Sequence, residues 1–93
     1  MAKFAAMMTF GDRERRLAAR PDHRAYLERL LAEGKLYESG PWGDDTGALI
    51  VYEAADEAEA RALMAADPFT TAGVVATAEL KEWNRIYGAE GAE

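Results

Sequence analysis

His23 is the only histidine in the chain, and no cysteine accompanies it. Disulfides, thiolate metal sites and a cysteine nucleophile are therefore excluded, and acid–base chemistry near neutral pH has one natural centre. His23 lies four residues before Leu27 and seven before Leu30. That spacing puts it on the buried stripe of a helix, near the N-terminal end. Asp67 lies four residues after Leu63 and three after Met64, on the inward stripe of a second helix at its other end. Two such helices on one face of a sheet bring the two side chains together.

Asp67 is costly where it stands. A carboxylate at a helix C-terminus faces the negative end of the helix dipole, a penalty of a few tenths of a kcal/mol. Pro68 also pushes the preceding residue out of helical geometry. An acid on an apolar stripe needs a partner, and His23 is a natural one. In such a dyad Asp67 fixes the imidazole tautomer and His23 takes or gives a proton. The same pair also reads as a hydrogen-bonded core contact beside an Asp-Pro helix stop. The spacing leaves both readings open.

Other chemistry finds less support. Ser39 has no neighbouring base in sequence, so a nucleophilic triad is unsupported. Gly40-Pro41 and Gly43 read as turn chemistry, not as a phosphate-cradling loop. Without further histidines only carboxylates remain to hold a metal, and then a hard cation weakly. No cofactor is implied. Trp42, Phe69 and Trp83 either line an apolar pocket or pack a core or dimer contact.

Charge narrows the partners. The net charge is −6, with 17 acidic against 11 basic residues, which disfavours approach to phosphate backbones and argues against nucleic acid. Arg13, Arg15, Arg16, Arg20 and Arg24 nevertheless crowd one stretch. They form either a solvated helical face paired to nearby acids or a positive rim around a pocket for an anionic small molecule. No apolar run is long enough to span a membrane, and the N-terminus lacks a signal-peptide layout. The expectation is a cytoplasmic protein without membrane contact.

The elements that must position these residues follow from periodicity. Residues 3–10 are apolar on both alternating faces, a strand buried on both sides. Residues 12–19 are helix-compatible, and Pro21 suits the first turn of a new helix whose stripe is Leu27, Leu30 and Leu31, with Arg24, Ala25, Glu28 and Ala32 on the opposite side, closed by Gly34. Residues 35–42 and 48–53 read as a hairpin across the turn at 43–47. Asp56 and Glu59 form a capping box for a helix with the stripe Ala60, Leu63 and Met64, stopped by Pro68. Residues 74–83 are the last strand. The order β-α-β-β-α-β predicts an α+β, ferredoxin-like sandwich: a four-stranded antiparallel sheet with two helices on one face. Residues 1–87 form a single domain, and 88–93 a flexible, acidic C-terminal tail. Since the helices cover one face only, the open apolar face predicts a two-fold homodimer.

The ordered set Arg20-Pro21-Asp22-His23-Arg24-Ala25-Tyr26-Leu27, Gly34-Lys35-Leu36, Ser39-Gly40-Pro41, Ala66-Asp67-Pro68-Phe69 and Ala72-Gly73-Val74 resembles the YCII-related family over nearly the whole domain. The resemblance implies a dimeric α/β barrel of ferredoxin-like subunits, and it puts the family's proposed His–Asp pair on His23 and Asp67. Some relatives are lyases that remove halide from chlorinated hydroxyquinones, and the wider superfamily includes muconolactone isomerases. The segment after Pro41 is brief, so contacts that relatives make from a longer loop are not carried over. The expectation is a cofactor-free lyase or isomerase acting on a small anionic, cyclic or aromatic compound. His23 transfers the proton, Asp67 orients it, Arg20 holds substrate charge and Ser39 lines the pocket. The competing expectation is a non-catalytic dimer that binds a small ligand or a partner protein. A cofactor-independent oxygenase on the same superfamily fold is a third, favoured by no residue.

Overall fold

The computed structural model describes residues 1–92. Its main sheet contains β1 (Ala2–Phe10), β2 (Leu36–Pro41), β3 (Gly47–Ala54) and β4 (Val75–Trp83) in the antiparallel order β2-β3-β1-β4. The two strands apolar on both faces, β1 and β3, take the two central places. The edges go to β2, which ends on Pro41, and to β4, which carries Glu79, Lys81 and Glu82. Proline and charge are tolerated at an edge, where one row of backbone groups meets solvent. Register fixes the faces: Phe4 stands opposite Tyr52, Met8 opposite Ala48 and Ala6 opposite Leu80. These residues turn toward α1 (Arg13–Ala32) and α2 (Glu57–Ala66) and make one core with Leu27, Leu30 and Ala60. The arrangement is the expected ferredoxin-like one.

Where α1 differs from the sequence reading, tertiary contacts account for it. It is one helix of 20 residues running through Pro21, not two. A proline inside a helix removes a hydrogen bond and costs about 3 kcal/mol. Here the first half is held independently: Asp12 caps it through Arg15 N–H at 2.8 Å, and the buried Arg16 ties it to the β2–β3 turn. Pro21 is exposed, so water can serve the carbonyl it frees. The C-terminus closes with Gly34 at positive φ, Gly34 N–H bonding Leu31 O and Lys35 N–H bonding Leu30 O, the glycine-terminated helix ending. Leu31, expected on the stripe, is 58% exposed. The buried stripe is the narrower set His23, Tyr26, Leu27 and Leu30.

At the start of α2, Asp56 Oδ1 accepts Glu59 N–H, and Glu59 reaches back to Ala55 N–H, each at 2.8 Å. Pro68 ends α2 as expected but also starts a short helix, α3 (Pro68–Thr71). Asp67 thus ends α2 and caps α3. After β4, Tyr87–Gly88 (β5) and Gly91–Ala92 (β6), inside and beside the expected tail, pair as a small hairpin; Glu93 lies outside the described residues.

The observed phase of α1 makes a direct prediction. Leu30→Ala should cost about 2–5 kcal/mol by opening a core cavity. Leu31→Ala, one residue on, should stay within about 0.5 kcal/mol. Equilibrium denaturation of both variants checks this, and similar losses would mean a broader stripe.

Candidate functional site

The elements converge on one cavity of about 230 Å³ at the end of the sheet where α1, the β2–β3 hairpin and α3 meet. Its walls include Leu27, Ala48, Ile50, Pro41 and the rings of Phe10 and Phe69; Arg16, Arg20, Arg24 and Asp45 also line it. His23, Arg20 and Ser39, each singled out from sequence, all line this cavity. Ser39 reaches it because it stands opposite Ile50 on the helix-facing side of the sheet. The hairpin can close against β1 because Gly47 has no side chain; a Cβ there would collide with the Met8 carbonyl oxygen.

Asp67 sits behind the wall. It is fully buried, and its Oδ1 lies 2.7 Å from His23 Nδ1 and 2.9 Å from Phe69 N. The dipole penalty argued for it is offset by its capping of α3. An ionised carboxylate only accepts hydrogen bonds, so a proton on Nδ1 completes the contact. Nε2 then has no protein partner among the described residues and is left to the cavity. The imidazole is also stacked on Phe69, centroids 3.7 Å apart and planes within 3°. Its position is thus fixed by a hydrogen bond at one edge and a ring on one face.

The rim divides the arginine cluster. Arg16 is 4% exposed, forks onto Asp45 with contacts of 3.0 and 2.6 Å, and lies 4.5 Å from the Phe10 ring centre. Arg13 also reaches Asp45, and Arg15 donates to Ala72 O. Arg20 and Arg24 hold no ion pair among the described residues. Arg13 and Arg16 thus pair with an acid, although Arg16 is buried and not solvated, while Arg20 and Arg24 line the cavity. Arg24 had been placed on the solvent side. The signal that finds it is the spacing of Arg16, Arg20 and Arg24, one turn apart along a single edge of α1. Phe69 acts as the wall against which His23 stacks, whereas Trp42 and Trp83 lie outside the cavity. Among the described residues no cluster of acids and histidine is suited to a metal ion.

Comparison with known proteins follows this geometry. The model of the YCII-related domain matches residues 2–84. The chain belongs to the YCII-related family. Protein YciI of Escherichia coli is 32% identical to this YCII-related chain over 84 residues, covering 80% of the chain and 86% of that relative. The uncharacterized protein YjpA of Bacillus subtilis is 39% identical over 61 residues, covering 66% and 71%. A solved structure of 5-chloro-2-hydroxyhydroquinone dehydrochlorinase from Burkholderia phenoliruptrix, in complex with 2,5-dihydroxybenzoquinone, matches this YCII-related fold with a TM-score of 0.76. It is 28% identical, and the match covers 96% of this chain and 98% of that one.

The rim carries a pH prediction. The Arg16 hydrogen bond, then the charges of Arg16, Arg13 and Arg20, hold the Asp45 carboxyl below its ordinary value of 3.8. A depressed folded-state pKa contributes stability that is full above the unfolded value and is lost as pH falls through the folded one. Asp45→Asn should therefore flatten the loss of stability below about pH 4. Melting curves from pH 5 downward check this, and an unchanged acid limb would contradict it.

Proposed function

We propose that the chain is a cofactor-free small-molecule enzyme of the lyase or isomerase type, in which His23 transfers a proton and Asp67 orients it. One observation carries the reading: the imidazole is held at Nδ1 by a buried carboxylate while its other nitrogen is left to an apolar cavity with a basic rim. Nε2 takes a proton from a bound substrate, and Asp67 stabilises the imidazolium that forms. Departure of an anionic leaving group from the substrate completes an elimination. Return of the proton to a different carbon completes an isomerisation.

Among the described residues Arg20 and Arg24 form no ion pair, so they favour an anionic ligand, and the walls of Phe10, Leu27, Ile50 and Phe69 favour a flat apolar body. Ser39 adds one hydroxyl to the same wall. The solved relative that binds 2,5-dihydroxybenzoquinone supports a compact cyclic compound as the first probe. His23→Ala should lower turnover of a responsive substrate about 100- to 10,000-fold while the chain still melts cooperatively. A panel containing 5-chloro-2-hydroxyhydroquinone is the place to start. Unchanged turnover in His23→Ala would overturn the assignment.

A second reading, a non-catalytic dimeric module for a small ligand or partner protein, draws on one observation. Asp67 already has a structural role as the cap of α3, and His23 one as the ring stacked on Phe69. On that reading His23→Ala and Asp67→Ala lower stability, and no compound in the panel turns over in the native chain.

The proposal includes a homodimer formed through the open sheet face. Ala5, Met7 and Leu49 lie half-buried on that face, Val51 is already buried there, and Trp83 stands at its edge, 40% exposed. A face of this composition on so small a domain favours cover by a second copy. Sedimentation at micromolar concentration should give a dimer, and a monomer would contradict this part of the proposal. The reading also keeps the chain in the cytoplasm, away from membranes and nucleic acid. Among the described residues no helix is long and apolar enough to cross a membrane.

A further inference from the structure

Four buried side-chain atoms have no hydrogen-bond partner among the described residues, and two of them, Asp67 Oδ2 and Tyr52 Oη, belong to the buried side of the helix–sheet layer; the others are Arg16 Nε and Glu53 Oε1. Asp67 spends both of its observed bonds on Oδ1, one with His23 Nδ1 and one with Phe69 N–H. Tyr52 is as fully buried as Asp67. The two atoms are complementary, since an ionised carboxylate oxygen only accepts and a phenol donates. Leaving either unserved in a low-dielectric core is costly.

Their placement fits a shared contact. Tyr52 is two residues along β3 from Ile50, on the helix-facing side, and Ile50 lines the cavity with His23. Burial first, then the negative charge of Asp67, then Tyr26 hold the Tyr52 phenol far above its ordinary range. It is therefore a protonated donor at any physiological pH, within the field of Asp67. The neighbouring tyrosine is already committed, because Tyr26 Oη donates to Leu63 O at 2.7 Å.

We propose that Tyr52 is a positioning residue whose hydroxyl donates to Asp67 Oδ2 across a single buried water. That contact sets the plane in which Oδ1 meets His23 Nδ1. The inference rests on the reading of Asp67 as the residue that orients His23, but its test needs no substrate. Failure of the enzyme proposal and failure of this one are therefore distinguishable.

The first arm is a crystal structure of the native chain at atomic resolution. One buried water should lie within hydrogen-bond distance of both Tyr52 Oη and Asp67 Oδ2. A different donor on Oδ2, or a different acceptor for Tyr52, would overturn the proposal. The second arm is the His23 Nδ1–H proton resonance in Tyr52→Phe. Removing the donor concentrates the carboxylate charge on Oδ1, so this resonance should move downfield. Tyr26→Phe, which loses a bond to a backbone carbonyl, should leave it in place. No movement in Tyr52→Phe, or equal movement in both variants, would also overturn the proposal. Should Tyr52→Phe not fold, the crystallographic arm decides alone.

Discussion

The burial of one carboxylate constrains the rest of this molecule. Asp67 is fully enclosed, and a charge enclosed that way must be met by donors or neutralised. His23 Nδ1 and Phe69 N–H meet it on one oxygen. Both donors come from fixed positions, one on the inward stripe of α1 and the other in the first turn of α3. The imidazole consequently has little freedom to rotate, and the stack on Phe69 removes what is left. A histidine held in this way turns Nδ1 to the carboxylate and leaves Nε2 without a partner among the described residues, the preorganisation that the proposed proton transfer would use.

The fold serves that constraint through a chain of contacts around the cavity. Asp45, on the β2–β3 turn, holds Arg16; Arg16 lies over Phe10; Phe10 meets Phe69 edge to face; Phe69 carries His23. The hairpin, the end of β1, α3 and α1 are thereby fixed to one another at the site. Asp45 has a φ of 62°, an uncommon backbone for a residue with a side chain. Its contacts with Arg13 and Arg16 account for its place there. Arg20 and Arg24 are the arginines of this rim left outside that internal pairing, so the rim keeps positive charge in a chain whose net charge is −6.

Much of this was legible in the sequence because it depends on local period. Alternation identified β1 and β3 as strands apolar on both faces, which the sheet places at its centre, and the element order then specified the ferredoxin-like sheet. Helical phase put His23 and Asp67 on inward stripes of different helices, and the family's ordered motifs pointed to the same pair. The residues that escaped depend on tertiary contacts. Pro21 read as a helix start because proline is costly inside a helix, yet the anchoring of Arg16 holds the preceding turns. Leu31 read as core because it lies at helical spacing from Leu27, although the buried face of α1 is narrower and leaves it exposed. Asp67 read as a penalty at the end of one helix because the next helix, Pro68–Thr71, is too short to show a period. Arg24 read as solvent-facing because only the three-dimensional course of the hairpin places a cavity beside it. Tyr52 carried no sequence signal beyond its place on a buried strand face.

The central claim is that Asp67 holds His23 as the Nδ1–H tautomer and leaves Nε2 free to exchange a proton with a ligand. Nitrogen-15 spectra of the imidazole ring, recorded on the neutral side chain, test this most directly. The account predicts a protonated Nδ1 and an unprotonated Nε2. A ring protonated at Nε2, with Nδ1 bare against the carboxylate, would contradict it.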